Sequence, residues 1–456
     1  MNRFLTFVFV FLFAFSIRSA FSCDFQIIKE FEIGQQPVRI FYDPVEDLYH
    51  AFCNGNDIDY DGIFDNDLSE EKPSWWTFSI DDDMTVDINR VMYFESGFFP
   101  HTAFYPAIDI AERRIYIPFS PKYDVNFNII EQGKVSVYDI DDQSEIQNEI
   151  ISLDPSSVAI LKNIIFITGQ NEDMVNMVYA IDKSTFELVD EMPAGASVQQ
   201  IVAIDDPNGW IIGILNEGGF GENNSTLMTT RFLDNQFGEV TETDLGDTGH
   251  FLMPYGSGFA SVMNGSHEVL LIEDNSINSV LEFESTGYDG PREIIILFRI
   301  YMISSYDGSI SFYERFGDSY YFIQKIELAG KADAMLYAND LLFVCSPLDA
   351  SYQKLSKVYM LQDQHLSINT DKDNPISIYP NPARSVLNIN ANLQDFSGTL
   401  QISIVNPQGN IILQEAIHAA ENVLHQIDLT NVAQGAYYLK LYYGNEVKVM
   451  NFNLIR

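Results

Sequence analysis

"KADAMLYANDLLFVCSPLDASYQKLSKVYMLQDQ", residues 331–364, is the stretch that decides how this chain folds. Its apolar residues alternate with polar ones at period 2, and Asn, Asp, Ser and Pro punctuate the runs, which reads as three strands. Upstream phrases carry four. Between Asp24 and about Gln362 each phrase gives an apolar strand, a turn, a second strand, a loop, an alternating third strand and a last strand. The third strands are the clearest: "WWTFSID", "KVSVYDID", "MVYAID", "LMTTRFL", "EVLLIED", "SISFYE" and "KVYMLQ". They recur roughly every 40–60 residues, and no 3.6-residue helical period is evident in the body. The strand missing from the last phrase has a counterpart at the other end, where "FQIIKEFEI" (25–33) stands alone.

Seven phrases, the last completed by an orphan first strand, fit a ring. Four-stranded units at this spacing suit the blades of a β-propeller, and closure by the N-terminal strand removes the exposed sheet edges. The expected architecture is all-β: a seven-bladed propeller over residues 24–362, then a small Ig-like β-sandwich. Two separate β-sandwiches are the other arrangement the pattern allows. The third-strand style resembles YVTN and quinoprotein-like propeller repeats over most of the body. That resemblance implies a fold and leaves the chemistry open, because such relatives include binding scaffolds, sensors and enzymes.

Composition narrows the partners. The chain has 456 residues, 46% of them hydrophobic, enough for two or more cores. Its 65 acidic residues against 25 basic give a net charge of −40. Such a field repels phosphate backbones and anionic lipid, so nucleic acid is not an expected partner. From Pro375 onward acidic and basic residues nearly balance, which leaves the excess acid in the body.

At the N-terminus, Arg3 precedes an apolar run from Phe4 to Phe15, followed by Ala20-Phe21-Ser22. This pattern predicts a signal peptide over 1–22, cleaved after Ser22, with lipidation at Cys23 as the alternative. No other run is long enough for a membrane helix, so no transmembrane segment is expected in the mature chain. Cys23, Cys53 and Cys345 are the only cysteines. They make no disulfide scaffold and allow one bridge at most.

The last part of the chain reads "ISIYPNPARSVLNI" (376–389), "LQISIVNPQGNIILQ" (400–414) and "LHQIDLTNVAQGAYYLKLYYGNEVKVMNFNLIR" (424–456). Pro380 and Pro382 break the preceding linker, 363–374, and Gly409 and Gly435 suit turns. The segment 375–456 resembles the C-terminal sorting domain of type IX secretion system cargo of the Bacteroidetes. The resemblance rests on Tyr379-Pro380-Asn381-Pro382, the turn at Asn406–Gly409, Asp428-Leu429, Gly435 and Lys448. It implies recognition by the type IX machinery and export across the outer membrane, with the body secreted or held at the cell surface.

One loop in the body suggests metal chemistry. In "NGNDIDYDGIFDND" (54–67), Asp57, Asp59 and Asp61 alternate, Gly62 turns the chain, Ile63 offers a carbonyl and Asp65 follows. That is the oxygen spacing of a structural Ca2+ loop, although Leu68 stands where an EF-hand has its Glu. This loop and those at 120–133, 215–225 and 346–356 all link a second strand to a third, so one face of the ring is expected to be loop-rich. Tyr123, Phe127 and Phe220 on that face are candidate ligand contacts, and Trp75 and Trp76 are candidates for packing between blades or stacking on sugar. None of the seven His residues forms an H-E-x-x-H pair, and no nucleophile elbow or phosphate loop is present. The expectation is a ligand-binding propeller. The alternative is a polysaccharide-acting glycoside hydrolase or lyase using paired carboxylates, and a structural surface component is a third reading.

Overall fold

The computed structural model describes residues 24–58, 64, 70–81, 83–95, 105–124, 126, 128–147, 152–171, 173–283, 289–297, 299–316, 319–364, 376–379, 383, 385–392, 398–406, 411–419, 422–430, 432–443 and 446–454. The signal segment, Cys23, Asp59, Asp61, Ile63, Asp65, Phe127, Pro380, Asn381, Pro382 and Gly409 lie outside them. Every helix or strand element among the described residues is a β-strand.

Among the described residues from Phe25 to Asp363 the strands form one separate two-stranded hairpin and seven antiparallel sheets of four or five strands in which successive strands pair in order, the fourth strand being split in two of them. The third strand of each is the alternating phrase seen in the sequence. Tyr138 and Asp139 of Gly133–Asp139 and Tyr179 of Asn176–Asp182 belong to such strands. Each sheet packs on the next through its own apolar cluster. Phe52, Trp75 and Ile117 join the first blade to the second, and Phe78 and Phe343 join the seventh to the first. Seven such junctions among the described residues carry the contacts around a closed ring, a β-propeller. Trp75 is fully buried in one junction, and Trp76 packs against another with its indole N–H donating to Ser74 Oγ at 2.9 Å. Both tryptophans pack rather than present themselves to ligand.

The ring is closed by the first strand. Phe25–Glu32 pairs antiparallel with Lys354–Asp363 as the outermost strand of the last blade, with Phe25 opposite Asp363 and Glu32 opposite Lys357. Asp24 N–H donates to Asp363 Oδ1 at 3.1 Å, and Gln324 brackets Phe25 by accepting from its N–H at 3.0 Å and donating to its carbonyl at 2.7 Å. The Phe25 ring stacks on Phe312 at 4.9 Å between centroids. Asp363 is therefore part of the closing strand, not of the linker read as 363–374, because its backbone is paired across the seam.

Charged side chains reinforce neighbouring blades. Arg113 donates to both oxygens of the fully buried Asp43 at 2.8 and 2.6 Å, holding that carboxyl below its usual range despite burial. Lys183 Nζ lies 2.6 Å from Asp109 Oδ2 between the second and third blades. Cys53 and Cys345 are free thiols, both buried in the cluster that joins the seventh and first blades.

The C-terminal part is two sheets over a common apolar core. One contains Ile376–Tyr379, Val386–Asn392 and Asn422–Asp428; the other contains Ile411–Ala419, Gly398–Val405, Gly435–Tyr443 and Glu446–Leu454. The Asp428-Leu429 phrase is a turn: Asp428 Oδ1 accepts from Thr430 N–H at 2.8 Å, while Leu429 is buried in the core. Gly435 opens its strand at φ 154°, and Tyr437 O–H ties the turn by donating to Ala433 O at 2.7 Å. Lys448 is exposed opposite Leu441.

Replacing Phe25 by Ala removes a buried ring from the seam. The expected loss is about 3–5 kcal/mol in unfolding free energy, measured by urea denaturation of the full chain. A loss below 1 kcal/mol would show that closure does not depend on this anchor.

Candidate functional site

In each blade the first strand begins, and the second ends, on the face that carries the connections between second and third strands. That face holds the long loops. In the second blade the connection forms its own hairpin, Lys122–Tyr123 with Ile129–Glu131, fastened by Lys122 Nζ to Glu131 Oε2 at 2.7 Å. Asp124 Oδ1 sets its tip by accepting from the N–H groups of Asn126 and Asn128 at 2.8 and 2.9 Å. In the fourth blade, Gly218 and Gly221 take φ values of 74° and 81°, and Gly221 N–H donates to both Asp247 oxygens at 2.8 Å. Phe220 between them is 43% exposed. In the last blade Tyr352 O–H donates to Asp289 Oδ1 at 3.0 Å, and Lys331 Nζ lies 4.1 Å over its ring. The opposite face is joined by short turns such as Asn339-Asp340 and Asp274-Asn275, all at positive φ.

At the base of the acidic loop, Asn56 and Glu71 bridge antiparallel and bring its ends together. Lys354 reaches in from the last blade, donating to Asn56 Oδ1 at 2.5 Å and to Asp57 O at 3.1 Å. Of the five residues expected to hold calcium, only Asp57 is among the described residues, and it faces a lysine. Among the described residues no group of three His, Cys, Asp or Glu converges as a metal site would require.

On the axis, the loop-rich end of the ring is closed by a polar network. Arg39 Nη1 donates to both Glu293 oxygens at 3.1 Å, and its guanidinium lies 4.6 Å from the centre of the Tyr105 ring. Tyr105 O–H donates to His250 O at 2.7 Å. Glu293 Oε2 also accepts from Met335 N–H at 3.0 Å. Arg292 Nε stands 3.7 Å from Asp333 Oδ1, with Tyr306 O–H donating to the other oxygen at 2.9 Å. Apart from Tyr306, which follows the second strand Ile300–Ser305, these residues come from first strands, or the segments just before them, in five different blades. They are separated by up to hundreds of positions in the chain, which is why no motif announced them. A cavity of about 340 Å³ lies beside this network on the inner strands. Its lining runs from Arg39, Tyr105 and Gln200 to Ile108, Ile160 and Ala203 further along those strands, toward the short-turn face.

Desolvation dominates the electrostatics of the network. Burial pushes Glu293 up to about 7 even though Arg39 pulls it back, and Asp333 is raised for the same reason. His250 is driven well down by burial and stays neutral. An acid whose pKa is raised by folding stabilises the fold below its unfolded pKa, and that contribution is lost as pH rises through the folded value. For Glu293 the loss runs from about pH 4.5 to about 7, and repulsion within a −40 chain grows in the same direction. The full chain is therefore expected to melt at a higher temperature at pH 5.5 than at pH 8. Calorimetry giving the reverse order would show that carboxylates with lowered pKa, such as Asp43, dominate instead.

Fold and site together define a β-propeller with one elaborated face. Residues 377–454 match the family described as a secretion system C-terminal sorting domain. The protein is thus exported across the outer membrane, secreted or displayed on the cell surface, and the sorting domain is its point of interaction with the secretion machinery. Among solved structures, the WD40 β-propeller domain of Doa1 is similar at a TM-score of 0.50 and 11% identity, covering 75% of this chain and 97% of that one. The extracellular domain of a putative hybrid two-component system from B. thetaiotaomicron is similar at a TM-score of 0.48 and 12% identity, covering 96% of this chain and 59% of that one. A computationally designed protein, Ika8, follows at 0.45 and 10%, covering 72% and 96%. At 11% identity the likeness to the Doa1 domain speaks to the fold alone. No curated protein matches. Among the described residues no helix is long and apolar enough to cross a membrane.

Proposed function

We propose that this is an extracellular binding protein that takes its ligand, a protein, glycan or matrix component, on the loop-rich face of its propeller. The supporting observation is the asymmetry between the faces: braced loops from the first, second, fourth and seventh blades on one, short turns on the other. Loops fixed by side-chain hydrogen bonds lose less entropy on binding than free ones. The axial carboxylates favour this reading over the paired-carboxylate hydrolase or lyase. Glu293 and Asp333 are each committed to an arginine and a second donor. The full chain, presented to arrays of glycans, basic peptides and matrix proteins, is expected to bind a subset. Removing residues 218–223 together with Tyr123→Ala should weaken that binding at least tenfold, whereas changes to the Asn339-Asp340 turn should not. Binding lost only through the short-turn face would overturn the proposal.

We further propose that the acidic loop, whose base Lys354 braces through Asn56 Oδ1 and the Asp57 carbonyl, binds a structural calcium ion through Asp57, Asp59, Asp61, Ile63 and Asp65. Calcium at 100 times its Kd would add about 2.7 kcal/mol of stability. Melting of the full chain in EDTA and in millimolar calcium is expected to show a rise that Asp59→Ala/Asp61→Ala abolishes. An unchanged melting temperature would leave the loop as solvated acid held by Lys354.

A further inference from the structure

Asp154 presents a carboxylate with no answer inside the chain. It lies on the loop-rich face between Ser152–Leu153, the end of the second blade, and Ser157–Leu161, the first strand of the third. Its Oδ1 is enclosed and meets no hydrogen-bond donor, yet the residue as a whole remains partly open to solvent. Asp154 is thus a surface-reaching residue with one carboxylate oxygen enclosed and unpaired. Burial alone pushes it up to about 6, with no cation of the chain offsetting it.

The position is fixed. Pro155 restricts the backbone at Asp154, and the third blade presses on it at Gly169. A Cβ there would lie 3.2 Å from Asp154 O and 3.3 Å from Pro155 Cα. Lys134 pairs with Phe119 on one side and Ser152 on the other, so the root of the second-blade hairpin and Asp154 leave the same end of one sheet. They stand two strands, roughly 10 Å, apart. Tyr123 of that hairpin is close enough for the Asp154 charge to add to the burial that raises its phenol pKa. The hairpin itself is held by the Lys122–Glu131 pair and the Asp124 turn described above.

We propose that Asp154 and Tyr123 form a site for a primary ammonium group carried by the ligand, a refinement that rests on the loop-face reading given above. An ammonium supplies donors and no acceptors, which suits a carboxylate oxygen that the chain leaves without a donor, and the aromatic ring of Tyr123 in the neighbouring hairpin would add cation–π attraction. The net charge of −40 draws cations toward the molecule. A divalent metal would need several further oxygen ligands, and no such carboxylate group converges here among the described residues. Sugar hydroxyls would donate hydrogen bonds but leave the charge uncompensated. The ammonium has two sources, a lysine side chain of a protein or a free polyamine.

The test is calorimetric titration of the full chain with a Gly-Lys-Gly peptide capped at both ends and, separately, with spermidine, using wild type, Asp154→Asn and Tyr123→Leu. Saturable binding is expected in wild type, weakened at least tenfold in D154N and several-fold in Y123L. D154N should melt no lower than wild type, because the amide removes an unpaired charge, so its loss of binding would not reflect unfolding. Tighter binding of the peptide would mark a protein partner, and tighter binding of spermidine a free polyamine. Equal binding by wild type and D154N, or no saturable binding of either probe, would overturn the proposal. In that case Asp154 takes no ammonium ligand, while the loop-face reading stands or falls on the array experiment.

Discussion

The antiparallel pairing of Phe25–Glu32 with Lys354–Asp363 is the constraint on which the rest of the molecule depends. A propeller blade cannot bury its two faces alone. Each relies on its neighbours, and a ring that fails to close leaves both terminal blades with one bare face. Here the seam is made by backbone pairing, by the Gln324 amide on both sides of Phe25, and by aromatic stacking beneath it. Once the seam holds, the first strands converge on the axis, and residues remote in sequence, such as Arg39 and Glu293, become partners.

Axial convergence explains the character of the centre. Inner strands bury polar side chains around the axis, where burial makes a partner within the ring valuable. Arg39 serves Glu293 and lies over Tyr105; Arg292 serves Asp333 and lies over Tyr306 at 4.0 Å. This internal pairing makes the centre a cross-brace between blades. The outward-facing loops take no part in this pairing.

The ring was legible in the sequence because its signals are local: period-2 strands, turn residues, and one strand too few at the end of the chain. The long connections were legible for the same reason, and they emerge on one face as their place in the meander requires. The tail was legible through its turns, with Asp428 and Gly435 doing what their residue types suggest. The axial network was not. Arg292, Glu293, Asp333 and His250 each look like an isolated polar residue near the start of an apolar strand, and only ring geometry brings them together. Asp154 was hidden similarly, since a missing partner is a property of space and not of spacing. Lys354, which braces the base of the acidic loop, was hidden too, because it arrives from the far end of the chain.

The seam also orders events in time. Its two strands are separated by most of the chain, with Asp24 and Asp363 hydrogen-bonded across 339 positions. Such a contact forms only after everything between has been made, and contacts of this range are slow to form. The strand that closes the ring ends at Asp363, and the first strand of the sorting domain begins at Ile376. A chain cut short anywhere in the propeller would therefore lack its clasp and its address together. Position along the polypeptide thus acts as a proofreading device: truncated rings, which would expose an unpaired blade, carry no ticket through the outer membrane.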